Sequence, residues 1–207
     1  MAKGKATTVG PVSNGAEETI DASRPYYMDV TIEGIVPLLM HRYSVEAVDA
    51  KNKAAKGSAA KKSDDLESFV YRDEHGELCI PGVAIRGAIV TAAKFEQDPR
   101  SPRKSMMDLA KAGVDCITEL ASLGVNKWEL EDKRRVLVQR NAVSRTRPGM
   151  KTGWRVSFRL MIVLPQYFTP EIVRKLLTNA GKMVGVGDFR PSYGRFDVVS
   201  VSVVSLD

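Results

Sequence analysis

TPEIVRKLLTNAGKMVGVGDFRPSYGRFDVVSVSVV, residues 169–204, sets a helix, a glycine-rich connection and a strand in direct succession. Thr169, Pro170 and Glu171 supply an N-cap, an N1 proline and an early carboxylate, which suit the unpaired amides and the positive end of a helix. Ile172, Val173, Leu176 and Leu177 follow at the spacing of one buried helix face, and Gly181 stands where a helix commonly ends. From Arg195 to Val204, Phe196 and Val198 alternate with Asp197 and Val199, which predicts a strand apolar on both faces.

Upstream, Val136-Leu137-Val138 and Val156-Ser157-Phe158-Arg159-Leu160 read as strands joined through SRTRPGMKTG, residues 144–153, whose Pro148-Gly149 marks a turn. This predicts a long hairpin with a basic tip. Residues 101–124 read as two helical pieces, started by Ser101-Pro102 and stopped at Gly113 and Gly124. VAIRGAIVTAAKFE, residues 83–96, carries Ile85, Ile89 and Ala92 at helical spacing and ends at Asp98-Pro99. Phe69-Val70-Tyr71 and Leu78-Cys79-Ile80 flank a polar turn and predict a small hairpin. Met28, Val30 and Ile32 alternate with Asp29, Thr31 and Glu33 in a first strand that stops at Pro37.

Setting insertions aside leaves strand, helix, strand, strand, helix, strand. That order specifies an α+β chain with a ferredoxin-like, RNA-recognition-module-like βαββαβ core: an antiparallel sheet, two helices on one face, inserted loops and a basic β-hairpin. Residues 1–24 are small and polar and read as a flexible arm, and 25–207 as a single domain with insertions at about 41–66 and 99–132. The Ala- and Lys-rich stretch between Ser44 and Asp65 fits a short exposed helix and a mobile insertion equally well.

The chain has 207 residues, 43% of them hydrophobic and 27% charged, enough to bury a core without metal or disulfide staples. No apolar run reaches membrane-span length and the N-terminus has no apolar signal core, so the expected compartment is the cytoplasm, with no membrane partner. Cys79 and Cys116 are too few for a disulfide framework and read as core or half-buried thiols. The charge is uneven. Between Lys133 and Pro170 there is no Asp or Glu, but nine Lys and Arg: Lys133, Arg134, Arg135, Arg140, Arg145, Arg147, Lys151, Arg155 and Arg159. Set against a total of +6, those nine leave the rest of the chain at −3. Such a block suits phosphates, because each cation near a polyanion releases condensed counterions.

Other chemistries find little support. Gly185-Val186-Gly187-Asp188-Phe189-Arg190 has Arg190 at the last glycine position of a dinucleotide fingerprint and precedes a strand instead of a helix. Residues 57–63 lack the spacing of a phosphate loop, and His41 and His75 have no ligand-spaced partners, so no cofactor and no metal are expected. The loop from Gly185 to Phe196 remains: its glycines permit positive φ and close backbone approach, Arg190 and Arg195 bring charge, and Phe189 and Tyr193 bring rings. A clamp on phosphates and bases and a plain turn with core aromatics are both open readings of it.

Gly185-Val186-Gly187-Asp188-Phe189-Arg190-Pro191-Ser192-Tyr193-Gly194-Arg195-Phe196 resembles the C-terminal glycine-rich loop of the RAMP superfamily of CRISPR systems. Phe69-Val70-Tyr71-Arg72-Asp73 followed by Cys79-Ile80-Pro81-Gly82-Val83-Ala84-Ile85-Arg86-Gly87 is similar to the strand and "IPGSSLKG" segment of type III backbone subunits. The resemblance implies a subunit that oligomerises along single-stranded guide RNA beside other effector subunits. In that picture Arg86, Arg190 and Arg195 contact the RNA backbone. Arg140, Arg145, Arg147, Lys151 and Arg155 belong to a projecting basic hairpin, and Gly185, Gly187, Tyr193 and Gly194 belong to the grip of the loop. The chain departs from the pattern in places. Glu67 stands where cleaving members present an Asp, the glycines of that loop are missing, and Val83-Ala84 replaces a pair of serines. A RAMP-type ribonuclease using Glu67, Asp65 or His41 is therefore the alternative to a non-cleaving binder. A stand-alone or virus-encoded relative that binds single-stranded DNA or interferes with a CRISPR complex is a further one.

Overall fold

The computed structural model describes residues 24–43, 49, 53, 65–138 and 141–205. The N-terminal arm up to residue 23, the lysine-rich part of the 41–66 insertion and Arg140 lie outside the described residues. The main sheet contains β1 (Tyr26–Gly34), β5 (Val114–Cys116), β9 (Arg155–Ile162) and β10 (Phe196–Ser205), in the order β10-β1-β9-β5 with every pair antiparallel. Helix α1 (Gly82–Ala92) and the short α2 (Met107–Gly113) connect β1 to β5, and α3 (Pro170–Asn179) connects β9 to β10. This is the ferredoxin-like βαββαβ arrangement, and the fold is α+β.

The alternation read from the sequence is realised residue by residue. Tyr26, Met28, Val30 and Ile32 of β1 and Val156, Phe158, Leu160 and Ile162 of β9 are buried beneath the helices. Ile85, Ala88 and Ile89 of α1 and Val173, Leu176 and Leu177 of α3 meet them in one core. The Thr169 hydroxyl caps α3 by accepting from the Ile172 amide, with Pro170 at the first turn. Gly181 does not end this helix. The chain continues through a π-helical turn, Ala180–Val184, and Gly185 takes the left-handed φ of +75° that terminates it. Gly181 answers a different need, since a Cβ there would stand 2.0 Å from the carbonyl oxygen of Phe196.

Two further sheets sit beside the main one. β3 (Tyr71–Arg72), β4 (Leu78–Pro81) and β6 (Leu120–Ser122) form the first, built on the expected small hairpin. β2 (Leu38–Leu39), β8 (Asn141–Met150) and β7 (Leu130–Val138) form the second. The helical expectation for 101–124 holds only over α2. Val114–Cys116 is the second strand of the ferredoxin-like core: it pairs with β9 through Val114↔Ile162, and β-branched Val114 is buried in the core. The core strand expected at 136–138 belongs instead to the projecting β7–β8 hairpin, whose strands join across residues 139–140. Pro148-Gly149 therefore lies at the root of that hairpin and not at its tip, where Gly149 lets β2 approach: a Cβ there would meet the Leu38 carbonyl oxygen at 2.3 Å. Both cysteines are free thiols, Cys79 buried and Cys116 half-buried, and burial pushes each up to about 11. Among the described residues no helix is long and apolar enough to cross a membrane.

Candidate nucleic-acid interface

Cross-strand partners in an antiparallel pair share a face, so the register Asp132↔Arg147 and Arg134↔Arg145 sends these four side chains out together from the root of the hairpin. They look onto the glycine-rich loop. The Arg134 guanidinium carbon lies 4.6 Å from the Phe189 ring centroid and 4.9 Å from that of Tyr193. Its Nη2 donates to the Tyr193 hydroxyl at 2.7 Å and to Asp132 Oδ2 at 2.6 Å, while its Nε donates to Asp132 Oδ1. The Arg134 hydrogen bonds hold the Asp132 carboxyl below the usual carboxylate range and raise the Arg134 guanidinium in turn.

Arg147 is only 7% exposed. Its Nε donates to Asp188 Oδ2 at 2.8 Å, and its guanidinium lies 4.7 Å from the Phe69 ring centroid. The same Asp188 oxygen stands 3.5 Å from His41 Nδ1, and the His41 ring meets Phe69 edge-on at 5.2 Å. Arg42 continues the series over Tyr71, 5.4 Å from its centroid. Guanidinium and aromatic groups thus alternate from the glycine loop across the hairpin root to the 69–71 segment.

Three glycines hold the loop in shape. Gly185, Gly187 and Gly194 have φ of +75°, +80° and +71°, and a Cβ on Gly194 would sit 1.7 Å from the Val186 carbonyl oxygen. Three of the loop amides reach backbone carbonyls: Val186 donates to Gly194 O at 2.9 Å, Asp188 to Leu39 O at 2.8 Å and Gly194 to Pro37 O at 2.8 Å. The Asp188 and Gly194 N–H groups dock the loop on the segment Pro37 to Leu39, and the Val186 bond closes the loop on itself. Arg190 and Lys151 are exposed, Arg145 and Tyr193 are half-buried, and Arg195 is half-buried with a buried Nε that has no hydrogen-bond partner.

Two of the expected arginines stand elsewhere. Arg86 donates from Nε to Val114 O at 3.0 Å and from Nη2 to Lys111 O at 2.5 Å, and it pairs with Asp115, tying α1 to α2 and β5. Arg155 lies on the open face of the main sheet and donates to Glu33 Oε2 at 2.6 Å. On the same face Arg159 forks onto Asp29 at 2.5 and 2.7 Å, and Thr31 and Ser157 share a hydrogen bond at 2.8 Å. The face that RNA-recognition modules use carries cross-strand ion pairs here, their side chains still partly exposed. Trp154 is the anchor its position suggests, buried with Nε1 donating to Val36 O at 3.0 Å.

Of the candidate acid–base groups, Glu67 is gripped by Arg72, whose hydrogen bonds hold its carboxyl below the usual range, and Arg72 also donates to Gly76 O and Asn126 O. Asp65 is exposed and accepts from Ser68 through its backbone oxygen. His41 sits beside Asp188, its Nδ1 3.5 Å from Asp188 Oδ2. Sequence reasoning gave no site role to Asp132, Asp188 or Phe69, and counted Arg134 only as one of the nine cations of the basic block. A hairpin register centred on 139–140 would have put Asp132 and Arg134 on the face of Arg145 and Arg147.

No family model matches this chain, and no curated protein matches it. A chain of a solved structure, "Cryo-EM structure of the Type III-B Cmr-beta bound to cognate target RNA", matches with a TM-score of 0.50 at 12% identity. The match covers 89% of this chain and 62% of that one, so this chain spans less than two thirds of its length. At that identity the likeness is one of fold.

Proposed function

We propose that this chain is a non-cleaving, RAMP-type backbone subunit that binds single-stranded nucleic acid, guide RNA foremost, and lies side by side with further copies along the strand. The observation that carries the reading is the convergence at the hairpin root, where Arg134, Arg145 and Arg147 meet Phe189, Tyr193 and Phe69 on one surface. Rings and planar cations in alternation suit an unpaired strand, whose bases stack on aromatics while its phosphates take the cations. The divisions of labour follow from burial. Exposed Arg190 and Lys151 and half-buried Arg145 reach the phosphates, Tyr193 and Phe189 offer faces to bases, and buried Arg147 positions Asp188 and Phe69. Support for RNA over other polyanions comes from the likeness of fold to a chain of an RNA-bound complex. The engagement of Glu67 with Arg72 supports binding over cleavage.

Fluorescence anisotropy with a labelled single-stranded RNA across a salt series tests the reading. Affinity is expected to fall steeply with salt, by about 0.7 in log–log slope for each phosphate contact, and the triple variant Arg145→Ala, Lys151→Ala, Arg190→Ala should lower the slope by about 2. An RNA that stays unbound at low salt, or a triple variant with the slope unchanged, overturns it.

A further inference from the structure

Among the described residues β10 is the outermost strand of the main sheet, with β1 on one side only. Its free edge presents backbone N–H and C=O groups over ten residues, a template for another strand. Edges of this kind are ordinarily blunted by lysine, proline or brevity. The opposite edge of the sheet, β5, is three residues long and carries Asp115. In β10 the seven residues Val198-Val199-Ser200-Val201-Ser202-Val203-Val204 contain no charge and no proline.

Those seven residues also read the same in both directions about Val201. In an antiparallel pair of two copies centred there, Val201 faces its counterpart, Ser200 faces Ser202 and Val199 faces Val203. A two-fold contact requires a patch complementary to itself, and a palindromic strand is one by construction. The side chains fit the same occupant. Val199 is 50% and Val204 36% exposed, and Val201 and Val203 are only partly covered by their own core. With a net charge of +6, two copies repel over much of their surfaces, and an uncharged edge is where that repulsion is weakest. Val199 is the extra residue of a bulge opposite Thr31–Ile32, so the shared ladder is regular through Ser200–Ser202 and more strongly twisted beyond, identically at both ends.

We propose that β10 pairs antiparallel with β10 of a second copy across a two-fold axis at Val201, joining two four-stranded sheets into one of eight strands. This contact needs no nucleic acid and is independent of the binding reading above.

The test is light scattering on size-exclusion fractions of nuclease-treated full-length protein at high salt, over a dilution series. Wild type is expected at the mass of two copies, dissociating on dilution. The variant Ser200→Lys, Ser202→Lys sets lysines opposite one another at exposed positions and should weaken dimerisation by at least about tenfold. Ser200→Asp, Ser202→Asp should do the same, and mixing the two variants should restore a dimer. Far-ultraviolet circular dichroism of each variant checks that the monomer is folded. A wild type that is monomeric throughout, a lysine variant that dimerises as well as wild type, or a mixture that fails to pair overturns the proposal.

Discussion

Gly194 and Gly124 have nearly the same φ, +71° and +70°, but different surroundings. Around Gly124 nothing lies within 4 Å of a Cβ position, whereas at Gly194 the Val186 carbonyl oxygen stands 1.7 Å away. Gly124→Ala should therefore cost only the left-handed strain of an L residue, about 1 kcal/mol, while Gly194→Ala adds a backbone clash and should cost about 3 kcal/mol or more. Urea unfolding of the two variants beside wild type measures the difference. The contrast also shows what the sequence could and could not say of the site. Three glycines in twelve residues announced a loop with unusual backbone, and Gly185, Gly187 and Gly194 all take positive φ. Where the loop docks was illegible, because its Asp188 and Gly194 amides reach the carbonyls of Leu39 and Pro37, far away in the chain. Glu67 was similarly ambiguous until Arg72, five residues on, was seen to hold it.

Elements with strong local signals came through the sequence intact. β1, α1, α3 and β10 each carry their own period, so the ferredoxin-like order could be read before the structure. β5 could not: three residues carry no period, and Val114 becomes a strand only because β9 is beside it. The hairpin was misplaced in phase because Pro148-Gly149 mimics a turn, while the actual connection at 139–140 carries no turn residue of that kind. That phase decides which arginines face the glycine loop, and Arg134 is the link between the two elements. Arg134→Lys keeps the charge but gives up the fork to Asp132 and Tyr193 and the planar contact with both rings. The loop should then open more often. Hydrogen exchange at the Val186 and Gly194 amides is expected to quicken by about tenfold in this variant, with α1 protection unchanged. Equal exchange in variant and wild type would mean that the sandwich does not hold the loop.

Across the whole molecule, two surfaces could in principle take a strand, and their electrostatics differ. On the open face of the main sheet the arginines are matched by carboxylates one strand away, Arg159 by Asp29 and Arg155 by Glu33, so that face is neutral and zipped. At the hairpin root Asp132 and Asp188 answer Arg134 and Arg147, and the exposed Lys151 and Arg190 stand beyond them. The uneven charge seen in the sequence is thus divided by the fold between a sheet face of matched pairs and a hairpin root with further cations. Ultraviolet cross-linking of single-stranded RNA to the full-length protein, followed by mass spectrometry of the adducted peptides, separates them directly. Adducts are predicted on the segment 185–196, at Phe189 and Tyr193, and on the hairpin strands around Arg145. Adducts on Tyr27 and the 155–161 segment of the sheet face, with none on the glycine loop, would contradict the account.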